Sequence, residues 1–70
     1  MDEATALKWV NGLTRTGRLA EAREYAGLSQ SDVARALGIN QSAVSRWESG
    51  KTRPRGRHAV ALRELIETPV

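Results

Sequence analysis

The sequence contains no cysteine, no phenylalanine and no apolar run long enough to cross a membrane. Without cysteine, neither a disulfide framework nor a thiolate zinc site can stabilise so small a protein, so the packing of its helices must do so. A membrane span needs about 20 apolar residues, and a signal peptide starts with basic residues rather than with Met-Asp-Glu-Ala. We therefore expect a cytoplasmic protein with no membrane association.

Side chains that carry catalysis or bind metals are also scarce. The chain has one histidine, His58, and its carboxylates form no close cluster, whereas an active site needs a nucleophile, a paired acid and base, or metal ligands. We interpret His58 as a surface residue or a neighbour of a bound phosphate rather than as a catalytic group. With 70 residues there is room for one domain. We expect no enzymatic activity, no metal and no cofactor.

The positive charge of the chain is concentrated in one segment. The formal net charge is +3, but the stretch from Arg46 to Arg57 holds five basic residues and the single acid Glu48, so it carries +4 and the rest of the chain carries −1. A localised basic patch is typical of proteins that bind a polyanion. A solvated run of surface charge is the alternative interpretation.

The spacing of apolar residues predicts helices joined by short turns, because no stretch shows the sustained alternation of a strand. The predicted helices cover residues 2–10, 15–26, 30–37, 41–49 and 57–67, with Asn11-Gly12 ending the first. Residues 51–56 form a basic loop, which Pro54 keeps from being helical. We expect one all-α domain over residues 1–70, a compact bundle of four to five helices.

Two of these helices are joined by a turn of only three residues, Gly38-Ile39-Asn40. A glycine at the start of such a turn can take a positive φ, and Ile39 can be buried at the corner. Ser29 and Asn40 are suitable N-caps for the two helices. This spacing predicts a helix-turn-helix unit over residues 30–49.

The predicted helix 41–49 has two different faces when it is projected at about 100° per residue. Ala43, Val44 and Trp47 form the face that should pack on the core. The opposite face contains no acid and consists of Gln41, Ser42, Ser45, Arg46 and Ser49. Arginine can pair with guanine and glutamine with adenine through two hydrogen bonds each. An ordinary solvated face usually carries lysine and glutamate, so this composition favours contacts to DNA bases.

The same residues lie within a longer pattern that runs from about Leu19 to Ile66. Its positions are Gly27-Leu28-Ser29-Gln30, Val33-Ala34, Leu37-Gly38-Ile39, Ser42, Val44-Ser45, Trp47-Glu48, Gly50-Lys51 and Arg53-Pro54. This pattern resembles the lambda-repressor/Cro-like helix-turn-helix family, also called the XRE family. The resemblance implies a compact helical domain that binds double-stranded DNA in the major groove and regulates transcription, most often as a phage or bacterial repressor.

The resemblance also implies roles for single residues. It implies that Gln41, Ser42 and Arg46 contact base edges and that Gln30 contacts the DNA backbone. From the polar face of the predicted helix we add Ser45 as a base contact. As further phosphate contacts we expect Ser49, Lys51, Arg53, Arg55 and Arg57. Gln30 would also brace Gln41. Arg23 and Glu48 correspond to a buried ion pair that ties the second predicted helix to the helix 41–49.

Two features depart from the family pattern. Family members usually have one more helix after the last one predicted here, and it often supplies the dimer contact. The chain also has an extra N-terminal helix within residues 1–13, whose Leu7, Trp9 and Val10 could either mediate self-association or pack on the domain's own core. We expect a monomer or weak homodimer that pairs on an inverted-repeat operator. The alternative is that the N-terminal helix packs back on its own core and that one protomer suffices on a short asymmetric site. The rival function is that of an antitoxin or co-regulator that binds a protein partner through residues 2–13.

Overall fold

A computed structural model describes residues 2–67, so the two ends of the predicted domain, residue 1 and residues 68–70, lie outside the described residues. Five helices make up the regular structure of this range, and it contains no strand. The helices are α1 Glu3–Arg15, α2 Leu19–Tyr25, α3 Gln30–Leu37, α4 Gln41–Glu48 and α5 Gly56–Glu67. The predicted all-α class is confirmed.

Helix α1 is longer than the sequence pattern predicted. Its N-cap is Asp2, whose Oδ1 accepts a hydrogen bond from the Thr5 amide at 2.7 Å. The predicted end at Asn11-Gly12 is wrong, because the helix continues to Arg15. Glycine inside a helix costs only about 1 kcal/mol relative to alanine. Burial of the last turn through Thr14 outweighs this cost.

Helix α2 is correspondingly shorter than predicted. Residues 15–18 complete α1 and a turn in which Gly17 has a φ of +72°, so α2 begins at Leu19 rather than at Arg15. No side chain caps its first turn. Leu19, the first residue of α2, is buried with 1% of its surface exposed, but the spacing of apolar residues did not indicate that the helix starts there.

The helix-turn-helix unit follows its sequence signals closely. Ser29 caps α3, and Gly38 ends it with a φ of +70°, in the left-handed region that glycine adopts without strain. Asn40 occupies the N-cap position of α4, although its side chain makes no capping hydrogen bond. Helix α4 ends at Glu48, one residue before the predicted Ser49, which is its C-cap.

Every helix contributes buried side chains to one core. Helix α1 packs along α5, α3 packs against α4 and α5, and α2 contacts α1 and α4. The buried apolar residues are Ala6, Val10, Leu19, Val33, Ala34, Val44, Trp47, Ala59 and Leu62. None of the helices within residues 2–67 has the length and hydropathy needed to cross a bilayer.

The apolar side of α1 lies inside this domain. Val10 is fully buried, and Leu7 and Trp9 are half-buried against the core. The Arg63 guanidinium carbon covers the Trp9 ring at 5.4 Å from its centroid. Helix α1 thus packs on the domain's own core, which is one of the two arrangements that the sequence left open. These three residues therefore offer no free apolar face for self-association.

Candidate nucleic-acid interface

A partly buried carboxylate ties α4 to α2. Arg23 Nε lies 2.6 Å from Glu48 Oε2, and the two side chains are only 12% and 9% exposed. Arg23 also donates from Nη1 to the carbonyl oxygen of Leu28 at 2.7 Å. The hydrogen bond to Glu48 raises the pKa of Arg23 above its usual value. The pair predicted from the sequence pattern is therefore in contact, and it fixes the C-terminal end of α4.

The same carboxylate begins a chain of hydrogen bonds that leads to the surface. Gln30 donates from Nε2 to Glu48 Oε1 at 2.8 Å, and Gln41 donates from Nε2 to Gln30 Oε1 at 3.3 Å. Ser31 Oγ donates to Gln41 Oε1 at 3.0 Å. The first side chain of α4, Gln41, is thus oriented from α3 while it stays exposed.

The outward face of α4 brings the predicted base-contacting residues together. Gln41, Ser42, Ser45 and Arg46 are all exposed, whereas Val44 and Trp47 on the opposite side are buried. Within residues 2–67, the Arg46 side chain forms no ion pair, so its guanidinium is available to a partner. The face can donate several hydrogen bonds and carries no carboxylate.

The basic loop starts directly from the end of α4. The amides of Lys51 and Thr52 donate to the Arg46 carbonyl oxygen at 3.0 and 3.4 Å, and Gly50 turns the chain with a φ of +79°. Pro54 is buried and anchors the loop. The exposed cations of this segment are Lys51, Arg53, Arg55 and Arg57. These cations therefore lie next to the polar face of α4 along the chain.

Ser49 differs from the other predicted phosphate contacts. Its Oγ donates to the Arg46 carbonyl oxygen at 3.1 Å, so its proton already has an acceptor within the protein. A phosphate contact by Ser49 would require its hydroxyl to rotate. Gln30, also predicted to contact phosphate, is half-buried and has its amide nitrogen bound to Glu48.

The first turns of α3 and α4 differ in their ability to accept an anion. The N-terminus of α3 is closed by reciprocal bonds between Ser29 and Asp32, which lower the pKa of the Asp32 carboxyl. Helix α4 has no side-chain cap bond and no acid in its first turn. Free backbone amides at a helix N-terminus attract phosphate groups. The start of α4 therefore adds an electropositive group to the exposed face.

The sequence did not signal one carboxylate that lies close to the basic loop. The Glu3 side chain packs against Gly56, the first residue of α5, and a Cβ on Gly56 would overlap the Glu3 carboxyl group. This places a negative charge beside the residue that lies between Arg55 and Arg57 in the chain, and among residues 2–67 Glu3 forms no ion pair with either arginine. The two residues are distant in sequence, so only the packing of α1 on α5 reveals the contact.

A comparison with known families agrees with this geometry. A helix-turn-helix family model, of the Cro/C1 type also called XRE, matches residues 19–70. The chain belongs to this family. XRE-family domains are DNA-binding regulators of transcription. This chain is one of them and binds double-stranded DNA. Helix α1 precedes the matched segment. Neither the curated proteins nor the solved structures gave a match to the chain.

The described residues offer no alternative site of metal chemistry. Between Asp2 and Glu67, no group of three or more histidine, aspartate or glutamate side chains is placed to hold a metal ion. His58 is half-buried, with its ring centroid 6.0 Å from that of Trp47. The XRE family is one of DNA-binding regulatory domains.

Proposed function

We propose that this XRE-family domain is a sequence-specific repressor of phage or bacterial origin that acts in the cytoplasm and inserts α4 into the major groove of its operator. The observation that carries the proposal is the exposed face of α4, which is polar, free of acids and continuous with the basic loop. A major groove about 12 Å wide admits one α-helix. Residues 1–70 together form a single DNA-binding domain.

The four exposed side chains of α4, Gln41, Ser42, Ser45 and Arg46, recognise the bases. Arg46 is suited to the O6 and N7 acceptors of guanine, and Gln41 to the N6 and N7 atoms of adenine. Each such bidentate contact discriminates against a wrong base by about 1–3 kcal/mol. Ser42 and Ser45 are shorter and add less selective hydrogen bonds. The hydrogen bond that Gln41 donates to Gln30 and the one that it accepts from Ser31 orient Gln41 before DNA binds.

The basic loop supplies most of the affinity for DNA. Lys51, Arg53, Arg55 and Arg57 are assigned to phosphates, with Gln30 and Ser49 as weaker polar contacts. Each neutralised phosphate releases counterions and contributes about −0.9 to the slope of log K against log salt. Three to four ionic contacts per protomer give a slope of about −3 to −4.

The proposed assembly is a free monomer or weak dimer that pairs on an inverted-repeat operator. A single small module buries only about 600–1,000 Å² on DNA, which limits its affinity and the length of its site. A second protomer on a half-site about one helical turn away doubles the contacts. The rival role, a co-regulator that binds protein through residues 2–13, has less support because the apolar residues of α1 pack inside the domain.

The proposal is tested by selection from a pool of random duplexes, followed by titration of the enriched duplex over a range of salt concentrations. We expect one enriched sequence motif and a salt slope of about −3 to −4 per protomer. A protein that acts through a protein partner would enrich no motif, and its weak DNA binding would change little with salt. A slope near zero together with an unenriched pool would refute the DNA-reading role.

A further inference from the structure

Helix α1 runs along the basic loop and contacts both of its ends. At its first turn, the Glu3 side chain packs against Gly56, the last residue of the loop and the first of α5. At its last turn, a Cβ on Gly50 would lie 3.9 Å from the carbonyl oxygen of Thr14, so the backbones are in contact where the chain enters the loop. All of α1 precedes the segment that the family model matches, so membership of the family does not account for these contacts.

The two ends of α1 bring opposite charges to the two ends of the loop. Glu3 lies at the Gly56 end, whereas Arg15, the last residue of the helix, lies at the Gly50 end. The chain contains no acid from position 4 to position 20. Arg15 is exposed, and the part of the chain that the structure describes contains no ion pair with it. A polyanion that follows the basic loop therefore meets a cation of α1 at the Gly50 end.

Arg15 lies close to the first cation of the basic loop. Arg15 follows Thr14 and Lys51 follows Gly50, so each cation is one residue away from the backbone contact. Standard bond geometry then places the Cα atoms of Arg15 and Lys51 at most about 12 Å apart. The phosphates of one DNA strand follow each other at about 3.4 Å along the duplex axis, so this distance spans only a few of them. Two long exposed side chains at this separation can contact neighbouring phosphates of one strand.

The acid that is nearest to Lys51 in the chain does not neutralise these cations. Glu48 is half-buried, and its carboxylate accepts hydrogen bonds from Arg23 and Gln30. Exposed cations that a fold brings together without a neighbouring free acid attract an anionic partner. The positive surface of the basic loop thus continues onto the end of α1.

Arg18, in the turn between α1 and α2, is exposed like Arg15 but has different surroundings. It lines a shallow depression together with Glu21, Tyr25 and Ile66. Glu21 supplies a negative charge there, and neither Gly50 nor any residue of the basic loop lines this depression. Arg18 is therefore a matched control for Arg15, with the same charge at a position three residues away in the chain.

We propose that Arg15 is a further phosphate contact, through which the end of α1 extends the DNA-binding surface beyond the basic loop. The proposal rests on the part of the proposed function in which the loop lies along DNA phosphates. It does not depend on base recognition by α4.

The contact is tested by titration of duplex DNA with the wild type, Arg15→Ala and Arg18→Ala over a range of salt concentrations. Loss of one phosphate contact should reduce the magnitude of the slope of log K against log salt by about 0.9. The advantage of the wild type over Arg15→Ala should therefore shrink about 3.5-fold between about 50 and 200 mM salt. Arg15→Lys and Arg18→Ala should keep the wild-type slope, and circular dichroism establishes that each variant folds. Equal slopes for Arg15→Ala and Arg18→Ala would overturn the proposal.

Ethylation interference on a duplex that the protein binds locates the contact. Ethylation removes the charge of one phosphate, so ethylation of the phosphate that Arg15 contacts should weaken binding of the wild type and not that of Arg15→Ala. The same set of interfering phosphates for both proteins would contradict the contact.

The two proposals fail in different ways. A wild type that enriches no sequence motif, but whose salt slope falls in Arg15→Ala and not in Arg18→Ala, overturns base recognition alone. A wild type that selects a duplex while Arg15→Ala keeps the full slope overturns the contact at Arg15 alone.

Discussion

Replacement of Glu48 by alanine should be among the most damaging single changes to this domain. The carboxylate accepts hydrogen bonds from Arg23 and Gln30, and the side chains of the Arg23–Glu48 pair are 12% and 9% exposed. Removal of one member of a buried ion pair costs about 3–5 kcal/mol, because the other charge is left without a partner. Arg23 would keep its bond to the Leu28 carbonyl oxygen, so we expect a loss of about 2–3 kcal/mol.

This loss is large for so small a protein. At about 0.05–0.15 kcal/mol per residue, a domain of this length is stable by about 4–10 kcal/mol. Urea denaturation followed by circular dichroism should therefore show a midpoint lower by about 2–3 M for Glu48→Ala, given a slope of about 1 kcal/mol per M.

The matched control for this experiment is Glu67→Ala. It removes the Arg63–Glu67 pair, whose side chains are 20% and 42% exposed and whose loss should cost less than about 1 kcal/mol. If Glu48→Ala destabilises the protein no more than Glu67→Ala does, the carboxylate does not hold α4 to α2 in the way described here.

Three further changes test other parts of the structure. Glu3→Gln removes the negative charge beside Gly56 and should strengthen binding to duplex DNA by about two- to fivefold at low salt, as measured by fluorescence anisotropy; unchanged affinity would contradict this. The pKa of Asp32 is lower in the folded protein than its ordinary value of 3.8. Its carboxylate therefore stabilises the folded state above pH 3.8, and this stabilisation is lost as the pH falls through the pKa of the folded state. The difference in Tm between the wild type and Asp32→Asn should thus shrink below pH 3.8, and a constant difference would refute the assignment. Val10→Ala should cost about 1–3 kcal/mol in chemical denaturation, because Val10 is fully buried, and a negligible loss would show that α1 is not part of the core.

The parts of the fold that the sequence predicted well depend on neighbouring residues. The N-cap at Ser29 and the positive φ of Gly38 are local features, set by residues at the helix end itself. The two faces of α4 follow in the same way from its period of 3.6 residues, which separates buried Trp47 from exposed Arg46.

The parts that it predicted poorly depend on tertiary contacts. Asn11-Gly12 has the composition of a helix end, but burial of Val10 and Thr14 keeps α1 helical beyond it. The contact between Glu3 and Gly56 exists only because α1 lies along α5. The contact between Arg23 and Glu48 is equally remote in sequence, and a resemblance to a known family pointed to it where local patterns could not.

The claim that α4 reads bases while the basic loop contacts phosphates is tested most directly by two arginine variants. Affinities of the wild type, Arg46→Ala and Arg53→Ala are compared on the selected duplex and on a random duplex of equal length. We expect Arg46→Ala to lose about 1–3 kcal/mol on the selected duplex and much less on the random one. Arg53→Ala should weaken binding to both duplexes alike. An equal loss on both duplexes for Arg46→Ala would identify Arg46 as a phosphate contact and contradict the account.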